Sequence, residues 1–413
     1  MSTDTKDNGK LKYTKRQKRL FTILMIGIFF EGFDDALINI ALPYITADFG
    51  VNNQQAGFAL SIIGLGTMCA FFLVRLADNM GRRPIFLFSV VAYTLCSLIT
   101  AFSPGINFLV FFQFLARIFL IGCWSLGYVI VAEEFESSQR GKASSILQAV
   151  ATSGALVLSL CLPIFTAIGW NWRAMYAVGA LPLIPVIIFH KNLPETEQFL
   201  KMKQERLEGK QVKSDFFEAW KPQYRKLLAI MAIVWFFLYF GVKGALNFFS
   251  QHVVNDLSWT PGMVSLALVI QTLAGMLIIT LNGRLLDKVG RKKGAIIIIA
   301  IGSFSAAAQF LATGFAPVVV LGCLSTGFTN SFLIVGSTIT NELFPTEIRA
   351  NATAWTNNIL GRLGQVLVPT FIGTLSVAIG LSHAVAVAVL LPLIAAVLIG
   401  VFIPETKPVA KRF

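Results

Sequence analysis

The sequence has little charge, little histidine and few cysteines. Of its 413 residues 13% are charged and 55% are hydrophobic, and the mean hydropathy is +0.72. Soluble domains carry about 25% charged residues, so this composition excludes an ordinary soluble protein. The three histidines lie at the ends of apolar runs and the five cysteines have no paired spacing. The sequence therefore predicts neither a metal site nor a disulfide framework.

Motifs of nucleotide-driven and hydrolytic proteins are also missing. The sequence contains no phosphate-binding glycine loop and no hydrolase nucleophile elbow. This argues against an enzyme and against an ATP-driven pump, and no cofactor is expected.

The charge that is present is basic and unevenly placed. There are 34 Lys and Arg against 21 Asp and Glu, a formal net charge of +13. The cations occupy alternate connections between apolar runs, which is the positive-inside pattern of membrane proteins. They do not form the basic stripe of a nucleic-acid-binding surface. We expect a multi-pass protein of a bacterial plasma (inner) membrane, with the lipid bilayer as a partner, no nucleic acid, and both termini cytoplasmic.

Twelve apolar runs are long enough to cross a bilayer, six on each side of a polar interval. They predict an all-α polytopic membrane protein of twelve transmembrane helices in two six-helix bundles. The expected segments are a cytoplasmic tail (1–19), an amino-terminal bundle (20–190), a cytoplasmic linker (191–226), a carboxy-terminal bundle (227–403) and a second tail (404–413).

The two halves repeat each other. Asp78, Glu133 and Arg140 recur 209 residues later as Asp287, Glu342 and Arg349, and a Pro-Glu-Thr triplet follows each half at an offset of 210. Such a duplication predicts two pseudo-symmetric bundles with a substrate site between them near mid-membrane.

A charged loop, D-x-x-G-R-[RK], follows the second helix of each half. Its carboxylate, glycine turn and two cations predict an ionic latch that holds one face shut and breaks when that face opens. We expect Glu133 to pair with Arg140, and Glu342 with Arg349. The alternative is that these charges only anchor loops. The candidate gating residues are Asp78, Arg82, Glu133, Arg140, Asp287, Arg291, Glu342 and Arg349.

Three acids, Glu31, Asp34 and Asp35, interrupt the first apolar run. Helical spacing predicts that all three share one face. A carboxylate at membrane depth is costly unless it faces a cavity, meets a cation or holds a proton. Clustering and desolvation favour protonation of at least one acid, so we interpret this cluster as a proton-coupling site.

At this point the chain resembles the major facilitator superfamily over essentially its whole length. The family's loop, G-x-x-x-D-R-x-G-R-[RK], is matched from Gly283 except that Lys288 replaces an arginine, and the first copy has Val74 and Asn79 at two of its positions. The first-helix Glu-Gly-Phe-Asp at 31–34 and the Gly-Arg-Leu-Gly at 361–364 are most similar to the aromatic-acid:proton symporters. These lie in a group with sugar porters and organic-ion transporters.

The resemblance implies a secondary transporter that works by alternating access, with a proton as the coupling ion. Asp34 matches the second acid of the symporter motif and is the favoured proton carrier, followed by Glu31, with Asp35 as a partner. Arg117 approximates a fourth-helix pattern associated with proton coupling. The substrate-binding candidates are Arg362, Lys243, Tyr239, Asn247, Gln271 and Asn358.

The substrate expected from the resemblance is a small organic anion, such as an aromatic or other carboxylic acid. Lys243 or Arg362 would hold its carboxylate, unless each instead pairs internally with the first-helix acids. Two alternatives stay open: a proton-coupled exporter of cationic or amphipathic compounds, and a non-transporting membrane sensor. The protein is expected to act as a monomer.

Overall fold

The amino-terminal half consists of helices joined by short turns. The structure, a computed structural model, describes residues 14–181, 183–184, 195–208 and 217–406. The first seven helices are α1 (Lys15–Phe49), α2 (Asn53–Met80), α3 (Arg82–Thr100), α4 (Ile106–Glu134), α5 (Ser137–Ala167), α6 (Trp172–Val178) and, in the linker, α7 (Glu197–Leu207).

The carboxy-terminal half repeats this pattern with more interruptions. It contains α8 (Pro222–Asn247), α9 (Phe249–Asn255), α10 (Pro261–Val289), α11 (Arg291–Leu311), α12 (Phe315–Leu343), α13 (Thr346–Thr353), a π-helical segment (Ala354–Gly361), α14 (Arg362–Ile379), α15 (Leu381–Leu390) and α16 (Pro392–Phe402). Pro392 lacks an amide hydrogen, which explains the break before α16.

Ten helical stretches in the described ranges are long and apolar enough to cross a membrane. Helix α1, at 35 residues, also has the length to cross, but its acids make it less apolar. Helix α6 begins the sixth predicted span, whose residues 182 and 185–190 lie outside the described residues. The prediction of an all-α membrane fold is confirmed. Most helices begin a few residues before the predicted apolar runs, whereas α3, α5, α8 and α11 end before those runs do.

Glycines set the crossing of α1 and α5. A Cβ atom at Gly32 would collide with the carbonyl oxygen of Ala151, and one at Gly154 would collide with that of Phe29. The two backbones therefore touch, an approach that small residues permit between membrane helices. This contact fixes the rotation of α1 and hence the direction of its acids.

The buried apolar side chains divide unequally between the two membrane faces. We call the face that carries Arg82 and Arg291 the basic face, and the opposite one the far face. On the far-face side a single core runs through both halves, from Phe33 and Leu60 to Val368 and Val389. On the basic-face side each half has its own core. The halves are therefore joined near the far face and separate near the basic face.

Polar contacts reinforce the joint at the far face. Gln251 at the end of the seventh span exchanges hydrogen bonds with Thr46 of α1, at 3.2–3.3 Å. Thr370 of α14 donates to Ser61 of α2 at 2.7 Å. Close by, a Cβ atom on Gly57 would lie 3.1 Å from the Cα of Gly373.

This asymmetry predicts a selective cross-link. In a variant without native cysteines, Ser61→Cys with Thr370→Cys should form a disulfide readily, because the two native oxygens are 2.7 Å apart. After cleavage at a protease site inserted in the linker, the two halves should stay together on a denaturing gel until reductant is added.

The control pair is Ser125→Cys with Asn358→Cys, whose side chains line a cavity of about 260 Å³ from opposite halves. This pair should cross-link poorly. Equal cross-linking of both pairs would contradict a joint confined to the far-face side.

Candidate functional site

The three acids of α1 do not share one face, contrary to the prediction. Glu31 and Asp35, one turn apart, both line a central cavity of about 300 Å³ between the halves. Asp34 points away from it and accepts a 2.5 Å hydrogen bond from Ser97 of α3, buried at 3% exposure. Adjacent positions on a helix differ by about 100° in direction, which explains why Asp34 and Asp35 diverge.

Asp35 bonds to cations from both halves. Arg117 of α4 donates to one of its carboxylate oxygens, and the Nζ of Lys243 on α8 lies 3.9 Å from the other. Arg117 is 8% exposed, so it depends on this carboxylate for its counter-charge. Asp35 thus forms an electrostatic link between the amino- and carboxy-terminal halves.

Glu31 has a different environment. It is 5% exposed, and among the described residues its carboxylate makes no hydrogen bond or ion pair. Trp124, Gln148 and Thr152 line the same cavity from the amino-terminal half. An unpaired carboxylate at this depth is stable when it binds a proton or a ligand, so Glu31 is available for either.

The predicted substrate-binding residues are distributed over separate spaces. Lys243 and Asn247 line a small cavity of about 30 Å³ together with Arg117. Asn358 and Arg362 line the 260 Å³ cavity on the basic-face side. The structure therefore does not bring the predicted set together in one pocket.

The remaining two candidates have local surroundings of their own. Gln271 lines a cavity of about 80 Å³ within the carboxy-terminal half. Tyr239 donates a 2.7 Å hydrogen bond to Asn357 in the π segment. Tyr239 therefore helps hold the segment that precedes Arg362.

Arg362 contacts the opposite half through the backbone. Its Nη1 donates to the carbonyl oxygen of Thr67 on α2 at 3.0 Å. Its Nε is buried and has no hydrogen-bond partner among the described residues. Arg362 begins α14 directly after the π segment, so this irregular stretch of helix places it.

Matching ionic clusters lie at the basic face. In the amino-terminal half Arg82 bonds to both Glu133 and Asp78 at 3.0 Å. In the carboxy-terminal half Arg291 bonds to Glu342 at 2.9 Å and to Asp287 at 2.6 Å. The duplicated residues therefore make duplicated contacts, and these contacts stay within each half.

The Pro-Glu-Thr triplets complete these clusters. Glu195 accepts hydrogen bonds from the backbone amides that begin α3, at 3.0 Å for Arg82, and Thr196 donates to Glu133 at 2.6 Å. In the second half Glu405 accepts from the Arg291 amide at 2.7 Å and Thr406 donates to Glu342. The offset of the triplets in the sequence marked these residues without assigning their contacts.

The partners expected for Glu133 and Glu342 were wrong. Arg140 donates through Nε to the carbonyl oxygen of Phe135 at 2.8 Å, and Arg349 does the same to Phe344 at 3.4 Å. Both arginines thus satisfy carbonyls just beyond the ends of α4 and α12. The glutamates bond to Arg82 and Arg291 because these residues begin α3 and α11, beside the ends of α4 and α12.

Comparison with known families decides the identity of this fold. The family model of the Major Facilitator Superfamily matches residues 24–252 and 231–413. The chain belongs to the major facilitator superfamily. It is a membrane transporter of that superfamily, and its duplicated clusters are the two copies of the signature loop predicted above.

Individual superfamily members resemble the chain at low identity but over nearly its whole length. The niacin transporter NiaP of Acinetobacter baylyi is 24% identical, covering 96% of this chain and 94% of its own. A probable 4-methylmuconolactone transporter of Cupriavidus pinatubonensis is also 24% identical, covering 96% and 92%. A solved D-xylose-proton symporter matches with a TM-score of 0.75 at 20% identity, covering 94% and 98%, which shows the shared fold.

The glycine of the superfamily loop allows a direct test. Gly81 has φ +111° and ψ 151°, and an added Cβ would collide with the carboxylate of Glu195. Such backbone is essentially restricted to glycine, so Gly81→Ala should lower the free energy of unfolding by about 1–3 kcal/mol, measured by denaturation in detergent. Gly105→Ala is the control, because Gly105 has φ −171° and open space around it. Equal losses would contradict this role.

A second test concerns the buried ion pair. Asp35→Asn should cost about 3–5 kcal/mol of stability, because it leaves the Arg117 guanidinium buried without a counter-charge. Adding Arg117→Gln should restore much of the loss, as measured by thermal unfolding. Asp34→Asn should be milder, since an amide oxygen can still accept from Ser97. If the double variant is no more stable than Asp35→Asn, the pairing does not explain the loss.

Proposed function

We propose that the protein carries a small organic anion, such as an aromatic or other carboxylic acid, together with a proton. The charge balance of the membrane interior supports this. The acids Glu31, Asp34 and Asp35 are matched by three cations, Arg117, Lys243 and Arg362. A proton on one acid leaves one excess positive charge, which is costly in a medium of low dielectric. Binding of an anion restores neutrality.

The geometry favours Glu31 as the acid that binds the proton. It lines the central cavity without a hydrogen-bond or ion-pair partner among the described residues, whereas Asp34 is tied to Ser97. Asp35 is the least suited, because it balances two cations. The symporter motif favoured Asp34, so Asp34 is the second candidate.

Lys243 is the proposed ligand of the substrate carboxylate. Its 3.9 Å separation from Asp35 is longer than a hydrogen bond, so an incoming anion can displace Asp35 from Lys243. Asp35 then keeps its bond to Arg117, and both cations remain paired. Arg362, in the basic-face cavity, would meet the anion on its way out.

The division of the cores supports transport by alternating access. With the basic face taken as cytoplasmic, the structure corresponds to a state closed toward the outside. Opening of the far face would separate α2 from α14 and close the basic face, with the two ionic clusters as latches. We place the protein in a bacterial plasma membrane, with both termini inside.

The relatives support an acid as substrate. Niacin is an aromatic carboxylic acid, and the NiaP transporter matches nearly the full length of this chain. The structurally similar D-xylose-proton symporter supports the use of a proton by this fold. The exporter of cations is the second candidate, favoured by the unpaired carboxylate of Glu31 in the central cavity.

The deciding experiment measures proton movement in proteoliposomes with a pH-sensitive dye. Carboxylic acids, organic cations and sugars are offered outside in turn. We expect the outer medium to become alkaline with a carboxylic acid, because protons enter with it. Glu31→Gln should reduce this flux at least tenfold, and Lys243→Met should raise the half-saturating acid concentration about tenfold, roughly 1.4 kcal/mol.

The control variant is Glu347→Gln, which removes an exposed carboxylate at the start of α13. It should transport like the wild type. Proton exit in response to organic cations would favour the exporter. Binding of an acid without any proton or substrate movement would favour the sensor.

A further inference from the structure

A second polar cavity lies within the carboxy-terminal half and is lined by residues of α8, α9, α10, α11 and α12. Its volume is about 80 Å³, room for a group of a few non-hydrogen atoms. It adjoins the central cavity, because Phe249, Thr272 and Asn330 line both spaces. A ligand in the central cavity could therefore extend a short substituent into this polar cavity.

Two glutamine side chains dominate the polar cavity. Gln271 of α10 is 3% exposed, and its Nε2 is buried without a hydrogen-bond partner among the described residues. Gln309 of α11 is 4% exposed and lines the same space. Buried amide donors are rarely left unsatisfied, so an unpaired one calls for a ligand or a bound water.

A glycine makes the space for these amides. Gly322 of α12 is buried, and a Cβ atom there would collide with the amide of Gln271 and lie 2.7 Å from the Nε2 of Gln309. Both amides therefore converge on one point opposite Gly322.

The lining of the polar cavity determines which groups it accepts. In the described part of the chain no ionisable side chain lines it, so a charged group would enter without a counter-charge. The hydroxyl of Thr329 already donates to the carbonyl oxygen of Ser325 at 2.7 Å. Among the described residues of the lining, the Nε2 of Gln271 is the fully buried side-chain donor without a hydrogen-bond partner, and a donor matches an uncharged acceptor.

We propose that this cavity is a substrate subsite for an uncharged hydrogen-bond acceptor, such as a carbonyl oxygen, carried by the transported organic anion. The assignment rests on the proposed function, because the carboxylate at the other end of the same molecule would be held at Lys243. Val242, the neighbour of Lys243 on α8, lines the polar cavity, so one helix contributes to both ends of the site. The preferred substrates are then carboxylic acids with a neutral acceptor at some distance from the carboxylate.

The test compares benzoate with 4-acetylbenzoate, which has the same charge and ring and adds one acetyl group, whose carbonyl oxygen is the acceptor. Binding to the purified full-length protein is measured by calorimetry. We expect the wild type to bind 4-acetylbenzoate about tenfold more tightly than benzoate. Gln271→Met should abolish this preference by weakening 4-acetylbenzoate binding about tenfold more than benzoate binding, because methionine matches the length of glutamine but cannot donate.

Two further variants distinguish loss of the subsite from a general loss of folding. Gly322→Ala adds a methyl group that collides with the amide of Gln271, so it should displace this donor and also remove the preference. Gln223→Met makes the same chemical change at an exposed position near the start of α8 and should keep it. A Gln271→Met protein that loses both ligands equally would indicate a structural role and overturn the subsite.

The outcomes separate this inference from the proposed function. If both acids bind, Lys243→Met weakens both, and the preference is absent or survives in Gln271→Met, the subsite is wrong while the transport proposal stands. In that case the cavity holds only water. If neither acid binds to the wild type, both the proposed carboxylate substrate and the subsite are wrong.

Discussion

The contact of Asp35 with two cations, the buried Arg117 and the partly buried Lys243, is the interaction on which the rest of the site depends. Arg117 and Lys243 come from opposite halves, and without this carboxylate both would lose their ion-pair partner in an apolar interior. The α1–α5 crossing at Gly32 directs Asp35 toward the cavity. A substrate anion that replaces Asp35 at Lys243 exchanges one ion pair for another. Binding then weakens the contact between Asp35 and Lys243 that links the two halves, and no buried charge is left without a partner.

The ionic clusters at the basic face, unlike the contact of Asp35, bond within one half and do not link the two halves. Arg82 and Arg291 bond within their own halves, and the Pro-Glu-Thr glutamates bind the amides that begin α3 and α11, where the helix dipole favours a negative charge. These contacts stiffen each bundle and attach the following chain segment to it. Rigid bundles joined near one face can rock as bodies, and glycines at the contact of α2 with α14 let these two helices approach closely.

The sequence predicted the features that local composition and repetition encode. The lengths of the apolar runs predicted the membrane helices, and the 209-residue offset identified the residues of the two ionic clusters at the basic face. It could not predict the directions of Glu31 and Asp34, because these depend on the rotation of α1, which contacts with Gly154 of α5 decide. The partner of Glu133 was wrong for a similar reason: sequence proximity favoured Arg140, while the packing of α3 against α4 supplied Arg82.

The π segment shows how the duplicated halves came to differ. The offset between equivalent residues is 209 at Arg349 and 210 at the second Pro-Glu-Thr triplet, so the carboxy-terminal half has one more residue in this interval. A π-helical turn accommodates an extra residue in a helix, and Ala354–Gly361 falls within the interval. One inserted residue turns the following helix by about 100°. The direction of Arg362 toward Thr67 therefore depends on a departure from the repeat, and that departure lets the second half present a cation that the symmetry of the first half would not predict.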